Sequence, residues 1–484
     1  MREIALSTVI ARQTRNLRRF CVACCPLIAL GIATPLASHA ESHPLSSCFW
    51  TGPISTRQPT ALGEDGARFL WPEESAGYWL ARFRPLPAGA HLELRREFAR
   101  ARHESLNAYR TAQTPTGPQR GIPSDAIADH EIIPDPGSTN PYVTGNRRDV
   151  AQRSYTVRAY TQDPPASRAG RSPNAIYSGT GATNELVLRV YVPDDETSPL
   201  GGTALPEPEL HLADGEVVRG QALCDRINDP DRSMPPPLMQ QSRWLGTLAG
   251  GIDPPRCTAS TTPAEPKPVW RRGFNAQYVV GVVANCGGEP VPVGTPMKAV
   301  GGAYGTLHNA YLFMFTNRQF GPLVVLRGQA PTYRSSGTQV RTAAASQVRY
   351  WSLCTGEGMS TTETPDGGCV RDDQVPLDAA GRYTVVISRA ADRPSNAELR
   401  CGVAWINWGE NGDGTRDAQG ALLHPDSGFV LMRNLLPDPG FEQAAQNVTL
   451  TGSAAPVLGE YYPAPTYMTT RDFEALGCPA ALPR

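Results

Sequence analysis

The chain of 484 residues carries 45 basic against 46 acidic side chains, a formal net charge of -1, so no surface-wide field draws in polyanions and nucleic acid is not an expected partner. Its 46 glycines and 46 prolines favour many short strands joined by turns over long helices. Lysine occurs only at Lys267 and Lys298, which leaves little scope for Schiff-base or Ser-Lys chemistry.

At the start, Arg2, Arg12, Arg15, Arg18 and Arg19 precede an apolar stretch from Phe20 to Leu36 and the small residues Ser38 and Ala40. This is the three-part plan of a secretory signal peptide, assigned to residues 1–40. A membrane anchor needs roughly 20 unbroken apolar residues, and Pro26 and Pro35 interrupt this run. The mature chain is therefore expected to be secreted or periplasmic, with no membrane span. Past the signal, eight cysteines remain: Cys48, Cys224, Cys257, Cys286, Cys354, Cys369, Cys401 and Cys478. An even count in an oxidising compartment implies four disulfides. Cys48 and Cys224 bracket a first domain, Cys257 and Cys286 a linker, Cys354 and Cys369 a loop rich in Thr, Gly and Pro, and Cys401 and Cys478 are left.

Taken in order, the aromatic run Gly77 to Phe83 reads as a strand, and His91-Leu92-Glu93-Leu94-Arg95 alternates with the period of a half-buried strand. A strand from Arg102 to Tyr109 follows. Residues 110–153 read as one long loop carrying Asp129, His130, Glu131 and Asp135, long enough to be functional. Strands at Tyr155 to Tyr160 and Leu186 to Val192 and a hairpin at Leu210 to Val218 complete a first domain, 41–226. Residues 227–272 are rich in Pro, Ser, Thr and Asp, the composition of a linker.

A second domain, 273–484, repeats the plan. Tyr311 to Phe315 matches Tyr78 to Phe83, and Leu323 to Arg327 matches His91 to Arg95. Arg349-x-x-Ser352-Leu353 matches Arg102-x-x-Ser105-Leu106, and Tyr383-Thr384-Val385 matches Tyr155-Thr156-Val157. Asn396-Ala397 matches Asn174-Ala175, and Arg433 precedes Pro437 as Arg189 precedes Pro193. Six matches in one order imply an internal duplication. The expected fold is all-β: two tandem, related β-sandwich domains of jelly-roll-like plan after a signal peptide.

Pro134 to Pro141, Arg349 to Cys354, Asp373 to Asp378 and Cys401 to Trp405 together resemble a family of uncharacterised secreted bacterial proteins. The strand pattern is also similar to a bacterial jelly-roll-like domain of unknown function. These resemblances imply fold and export, and no reaction.

The chain has no Gly-x-Ser-x-Gly elbow and no His-Glu-x-x-His. No two histidines stand at metal-ligand spacing along the chain, so neither a metal nor a cofactor is expected. Two functions remain: binding of a small-molecule, glycan or lipid ligand in a groove between the sandwiches, or hydrolysis of an extracellular polymer or ester. The candidate ligand-contacting residues are Arg102, His103, Asp129, His130, Asp135, Arg349 and Trp351. Against that stands structural ion pairing of Arg102, Arg189, Arg349 and Arg433 with Asp194 or Asp438.

Overall fold

Short strands broken by glycine and proline run through both halves of the chain. The computed structural model describes residues 43–54, 73–114, 117–167, 170–230, 268–285, 288–300, 304–333, 346–357, 364–414 and 416–478. The signal assignment, most of the linker, and Cys257 and Cys286 lie outside the described residues.

In the first half the strands are β1 (Thr51–Ile54), β2 (Ala76–Phe83), β3 (His91–Glu97), β4 (Ala101–Thr114), β5 (Gly117–Ala128), β6 (Ser154–Tyr160), β7 (Ala175–Tyr177), β8 (Asn184–Pro193), β9 (Glu207–His211) and β10 (Val217–Arg219). The second half has β11 (Arg271–Arg272), β12 (Asn309–Asn317), β13 (Leu323–Gln329), β14 (Val348–Gly356), β15 (Cys369–Arg371), β16 (Arg382–Ser388), β17 (Ala404–Asn407), β18 (Ser427–Pro437) and β19 (Ala464–Met468). They form four sheets, β1-β2-β8-β4-β5 and β10-β9-β3-β6-β7 in one half, β11-β12-β18-β14-β15 and β17-β16-β13-β19 in the other. Apart from β10, every strand of the first half has a counterpart in the same place in the second. Even the single parallel pairing of each half recurs, β6 with β7 and β16 with β17. The fold is all-β, two related sandwiches in tandem.

Register makes the duplication exact to the residue. Tyr78 pairs with Arg189 as Tyr311 pairs with Arg433, and Ser105 with Arg189 as Ser352 with Arg433. Five of the six sequence echoes therefore occupy equivalent positions. The sixth does not: Ala175 faces Arg158 in β6, but the residue in that place in the second half is Trp405, opposite Val386. Asn396-Ala397 lies eight residues too early. A dipeptide of small residues carries too little pattern to fix a register.

The expected loop at 110–153 also needs correction, because its first part is β5, hydrogen-bonded to β4 as a long hairpin. This strand is invisible to pattern reading because it is an edge strand, paired only on the β4 side. Its sequence carries no apolar alternation and includes Pro118 and Pro123, which edge strands accept.

Each pair of sheets encloses a core. In the first, Trp79, Phe83, Leu92, Leu94, Leu106, Val157 and Leu188 meet; in the second, Leu312, Met314, Leu326, Trp351, Leu353, Val385 and Met432 do. Alternation along β2 sends Trp79, Ala81 and Phe83 into the first core and Tyr78 and Leu80 to the opposite face. That opposite face is also buried. Ala76, Tyr78, Leu80, Tyr109, Val187 and Tyr191 pack there against Tyr304, Tyr350 and Leu435 of the second half. A strand covered on both faces loses the simple apolar-polar alternation, which is why β2, β8 and β14 are buried almost throughout. Residues Ser42–Arg484 accordingly form one unit.

Three of the expected disulfides form among the described residues: Cys48 to Cys224, Cys354 to Cys369 and Cys401 to Cys478. The first ties the entry segment to helix α1 (Gly220–Ile227). No helix among the described residues is long and apolar enough to cross a membrane.

A buried polar seam as the candidate functional site

Where the two sandwiches meet, the duplication produces a reciprocal set of ion pairs. Arg102 on β4 reaches across to Asp372 and Asp373 of the second half, its Nη2 lying 2.5 Å from Asp373 Oδ2. Arg349, the equivalent residue on β14, reaches back to Asp129 with Nη1 2.6 Å from Oδ1. Asp129 and Asp372 each open a short 3-10 turn after the edge strand of their sheet, Asp129–Glu131 and Asp372–Gln374. Each half therefore supplies an arginine to the other and receives one at its turn aspartate, as the two copies of a symmetric dimer do, with Asp373 as an extra partner for Arg102.

The two aspartates accept the same bonds. Asp129 takes the backbone N–H of Glu104 at 2.8 Å and of His130 at 2.6 Å; Asp372 takes those of Trp351 at 3.1 Å and Asp373 at 2.8 Å. Glu104 and Trp351 are equivalent, as are His130 and Asp373. A histidine breaks the symmetry. His103 Nδ1 lies 2.9 Å from Asp129 Oδ2, and the residue equivalent to His103 in the second half is Tyr350.

Further crossings close the seam. Glu73, just before β2, receives the Ser352 hydroxyl and stands 3.3 Å from Arg433 Nη1. Conversely Tyr304, just before β12, places its hydroxyl 2.8 Å from Glu185 Oε1, beside the Arg82 to Glu185 pair at 2.7 Å. Arg189 donates to the Tyr304 carbonyl and, at 2.7 Å, to the Tyr109 hydroxyl. Gly121 on β5 has φ +64, and a Cβ there would stand 2.5 Å from the Tyr304 ring. Glycine at 121 is therefore what lets Tyr304 in.

The electrostatics follow from burial and from these partners. Burial alone would raise the Asp129 carboxyl, but Arg349 and His103 outweigh it and hold it well below the usual carboxylate range. At Asp372 burial wins over Arg102 and pushes the carboxyl up to about 6. His103 is driven down to about 4, chiefly by burial and against the pull of Asp129. A neutral imidazole facing an ionised carboxylate must carry its proton on Nδ1, because the carboxylate can only accept. Nε2 is left with a lone pair and makes no hydrogen bond among the described residues. His308 stands beside this ring, centre to centre at 6.2 Å and edge-on. His308 Nε2 is 3.4 Å from Glu131 Oε2, and His130, with 29% of its side chain exposed, marks where the seam meets solvent.

Of the residues singled out in the sequence, Arg102, His103, Asp129, His130 and Arg349 converge here. Asp135 sits in a half-exposed turn whose backbone bonds to Ser154. Trp351 points into the second core, its ring 5.4 Å from Tyr383. Among the described residues Asp194 pairs with Arg148, while Arg102, Arg349 and Arg433 meet Asp372, Asp129 and Glu73, and Arg189 meets the Tyr109 hydroxyl. Sequence reasoning passed over Glu73, Tyr304 and His308. For His308 the available signal was its place just before the strand that repeats β2.

No family model matches the chain, and no curated protein matches it in sequence. Among solved structures it is similar to an uncharacterised protein from Burkholderia cenocepacia, with 10% identity, a TM-score of 0.41, and coverage of 84% of this chain and 80% of that one. It is also similar to the VPA0106 protein of Vibrio parahaemolyticus, with 12% identity, a TM-score of 0.35, and coverage of 82% and 90%. At these scores the likeness carries no inference about this chain.

One core position allows a pH test. Glu104, equivalent to Trp351, is buried with Arg96 Nη1 2.9 Å from its Oε2. Burial raises its carboxyl to about 7, beyond what Arg96 recovers. Raised above its unfolded value, it favours the folded state most at low pH, and that contribution is lost as pH rises from about 4.3 through about 7. Glu104→Gln abolishes the dependence while His103 and Asp372 stay common to both proteins. Urea unfolding should therefore show the variant gaining on the wild type, by on the order of 1–3 kcal/mol, between acidic and mildly alkaline pH. A difference constant with pH would refute the assignment.

Proposed function

We propose that the protein is exported and works by binding a small-molecule, glycan or lipid ligand of the extracellular space or cell envelope at the mouth of the seam. His130, His308 and Glu131 form the approach, and His103 Nε2 behind them is the polar atom that the ligand meets. The signal-like amino terminus and the three disulfides support export. What supports the site is a buried nitrogen with no hydrogen-bond partner among the described residues, which costs about 1–3 kcal/mol, at a place where the two halves differ in their aspartate shells. Arg102 and Arg349 hold the halves together in this reading and do not touch ligand.

A hydrolase remains the second reading, for one specific reason. Asp129 orients His103 as the acidic member of a catalytic triad orients its histidine, with Nε2 free to act as a base.

Two measurements on the purified mature protein separate the readings. Thermal-shift screening with monosaccharides, amino acids and fatty acids is expected to find a class that stabilises the wild type and leaves His308→Ala unmoved. Chromogenic esters, glycosides and peptides are expected to show no turnover. Turnover abolished by His103→Ala would replace binding with hydrolysis, and a panel that shifts wild type and variant equally would remove the seam mouth as the site.

A further inference from the structure

The outer face of the first sandwich carries a second cluster, built by strand pairing. β3 and β9 run antiparallel with His91 opposite His211 and Glu93 opposite Glu209. Residues two apart on a strand share a face, so His91-Leu92-Glu93 and Glu209-Leu210-His211 place two imidazoles and two carboxylates together. Leu92 and Leu210 between them point into the core.

We infer that Glu93, Glu209 and His211, with His91 as the fourth ligand, form a site for a divalent transition-metal ion of the zinc type. The ligand atoms of Glu93, Glu209 and His211 all lie within 4.8 Å of one another. His211 Nε2 is 3.2 Å from Glu209 Oε2 and 3.5 Å from Glu93 Oε2. Tetrahedral coordination with bonds of about 2.0–2.2 Å needs ligand atoms roughly 3.3–3.6 Å apart, so both separations from His211 are already close to an edge of the required tetrahedron. His91 is stacked on His211 with ring centres 5.1 Å apart, and its Nε2 is 3.9 Å from Glu93 Oε1. Mixed imidazole and carboxylate donors suit zinc, copper or nickel better than calcium or magnesium, which take oxygen donors alone.

Surrounding groups hold the carboxylates in place. Arg158 Nε donates to Glu93 Oε1 at 3.0 Å, and Arg219 grips Glu209 with Nε and Nη2 at 2.8 and 3.0 Å. Arg95 stands 3.6 Å from Glu93. Such outer partners fix ligand orientation, and their positive charge lowers the affinity below that of an uncompensated set.

Duplication supplies an internal comparison. By register the counterparts of His91, Glu93, Glu209 and His211 are Leu323, Val325, Thr466 and Met468. In the second half that face is apolar, with Leu323 and Val325 packed against Phe473 of the helix Thr470–Glu474 and against Cys401. The first half leaves the same face open, with a quarter of each histidine side chain exposed.

The test is titration of zinc chloride into chelator-stripped, dialysed mature protein by calorimetry near neutral pH. One ion per chain is expected, with affinity at least tenfold weaker in His211→Ala and in Glu93→Gln and unchanged in His43→Ala. Cobalt(II) in place of zinc should give the visible absorption of a four-coordinate ion in the wild type and lose it in His211→Ala, a readout independent of any loss of stability. Zinc binding retained in the double variant His91→Ala/His211→Ala, or none in the wild type, would overturn the assignment.

Discussion

Arg349→Met is expected to destabilise the protein by about 3–5 kcal/mol, the cost of leaving one partner of a buried ion pair without the other. Asp129, buried in the seam, would keep its carboxylate among backbone N–H groups and His103 but lose the one full positive charge beside it. The double variant Arg349→Met/Asp129→Asn should recover part of that loss, since removing both charges is far cheaper than removing one. Arg102→Met should act similarly through Asp372, because the two pairs are reciprocal. Urea unfolding followed by fluorescence measures all of these. If the single and double variants lie within about 1 kcal/mol of the wild type, in the range of exposed pairs, the seam is not what joins the sandwiches.

Replacing Cys48 and Cys224 together by alanine is expected to cost roughly 5 kcal/mol, because that cross-link spans 176 residues and the entropy of the open chain grows with loop length. The matching change at Cys354 and Cys369, 15 residues apart, should cost about 3 kcal/mol. Melting temperatures of the two double variants give the order directly, and the reverse order would sink the chain-entropy account.

The duplication was readable because it rests on local pattern. Alternating apolar residues around Leu94 and Leu326, and the Arg-x-x-Ser-Leu echo on β4 and β14, survive in any frame that keeps strands as strands. The edge strand β5 was missed because its one-sided pairing with β4 needs no apolar stripe. At the seam, the sequence singled out Arg102, Asp129 and Arg349 as notable. It could not show that each arginine answers the aspartate of the opposite half, 270 or 220 residues away along the chain.

Composition and periodicity alone thus determined the strand-rich class and the twofold plan, since each is written in residue spacing within a few tens of positions. Tertiary structure decided what the charged residues do. His91 and His211 have no metal spacing along the chain, yet antiparallel register sets them face to face on neighbouring strands. His103 and Tyr350 occupy equivalent strand positions, but only the β4–β5 pairing brings Asp129 beside His103, and only packing of one sandwich on the other brings Arg349 to that aspartate. Register and domain packing are sums over many distant contacts, and no local stretch of sequence carries that sum.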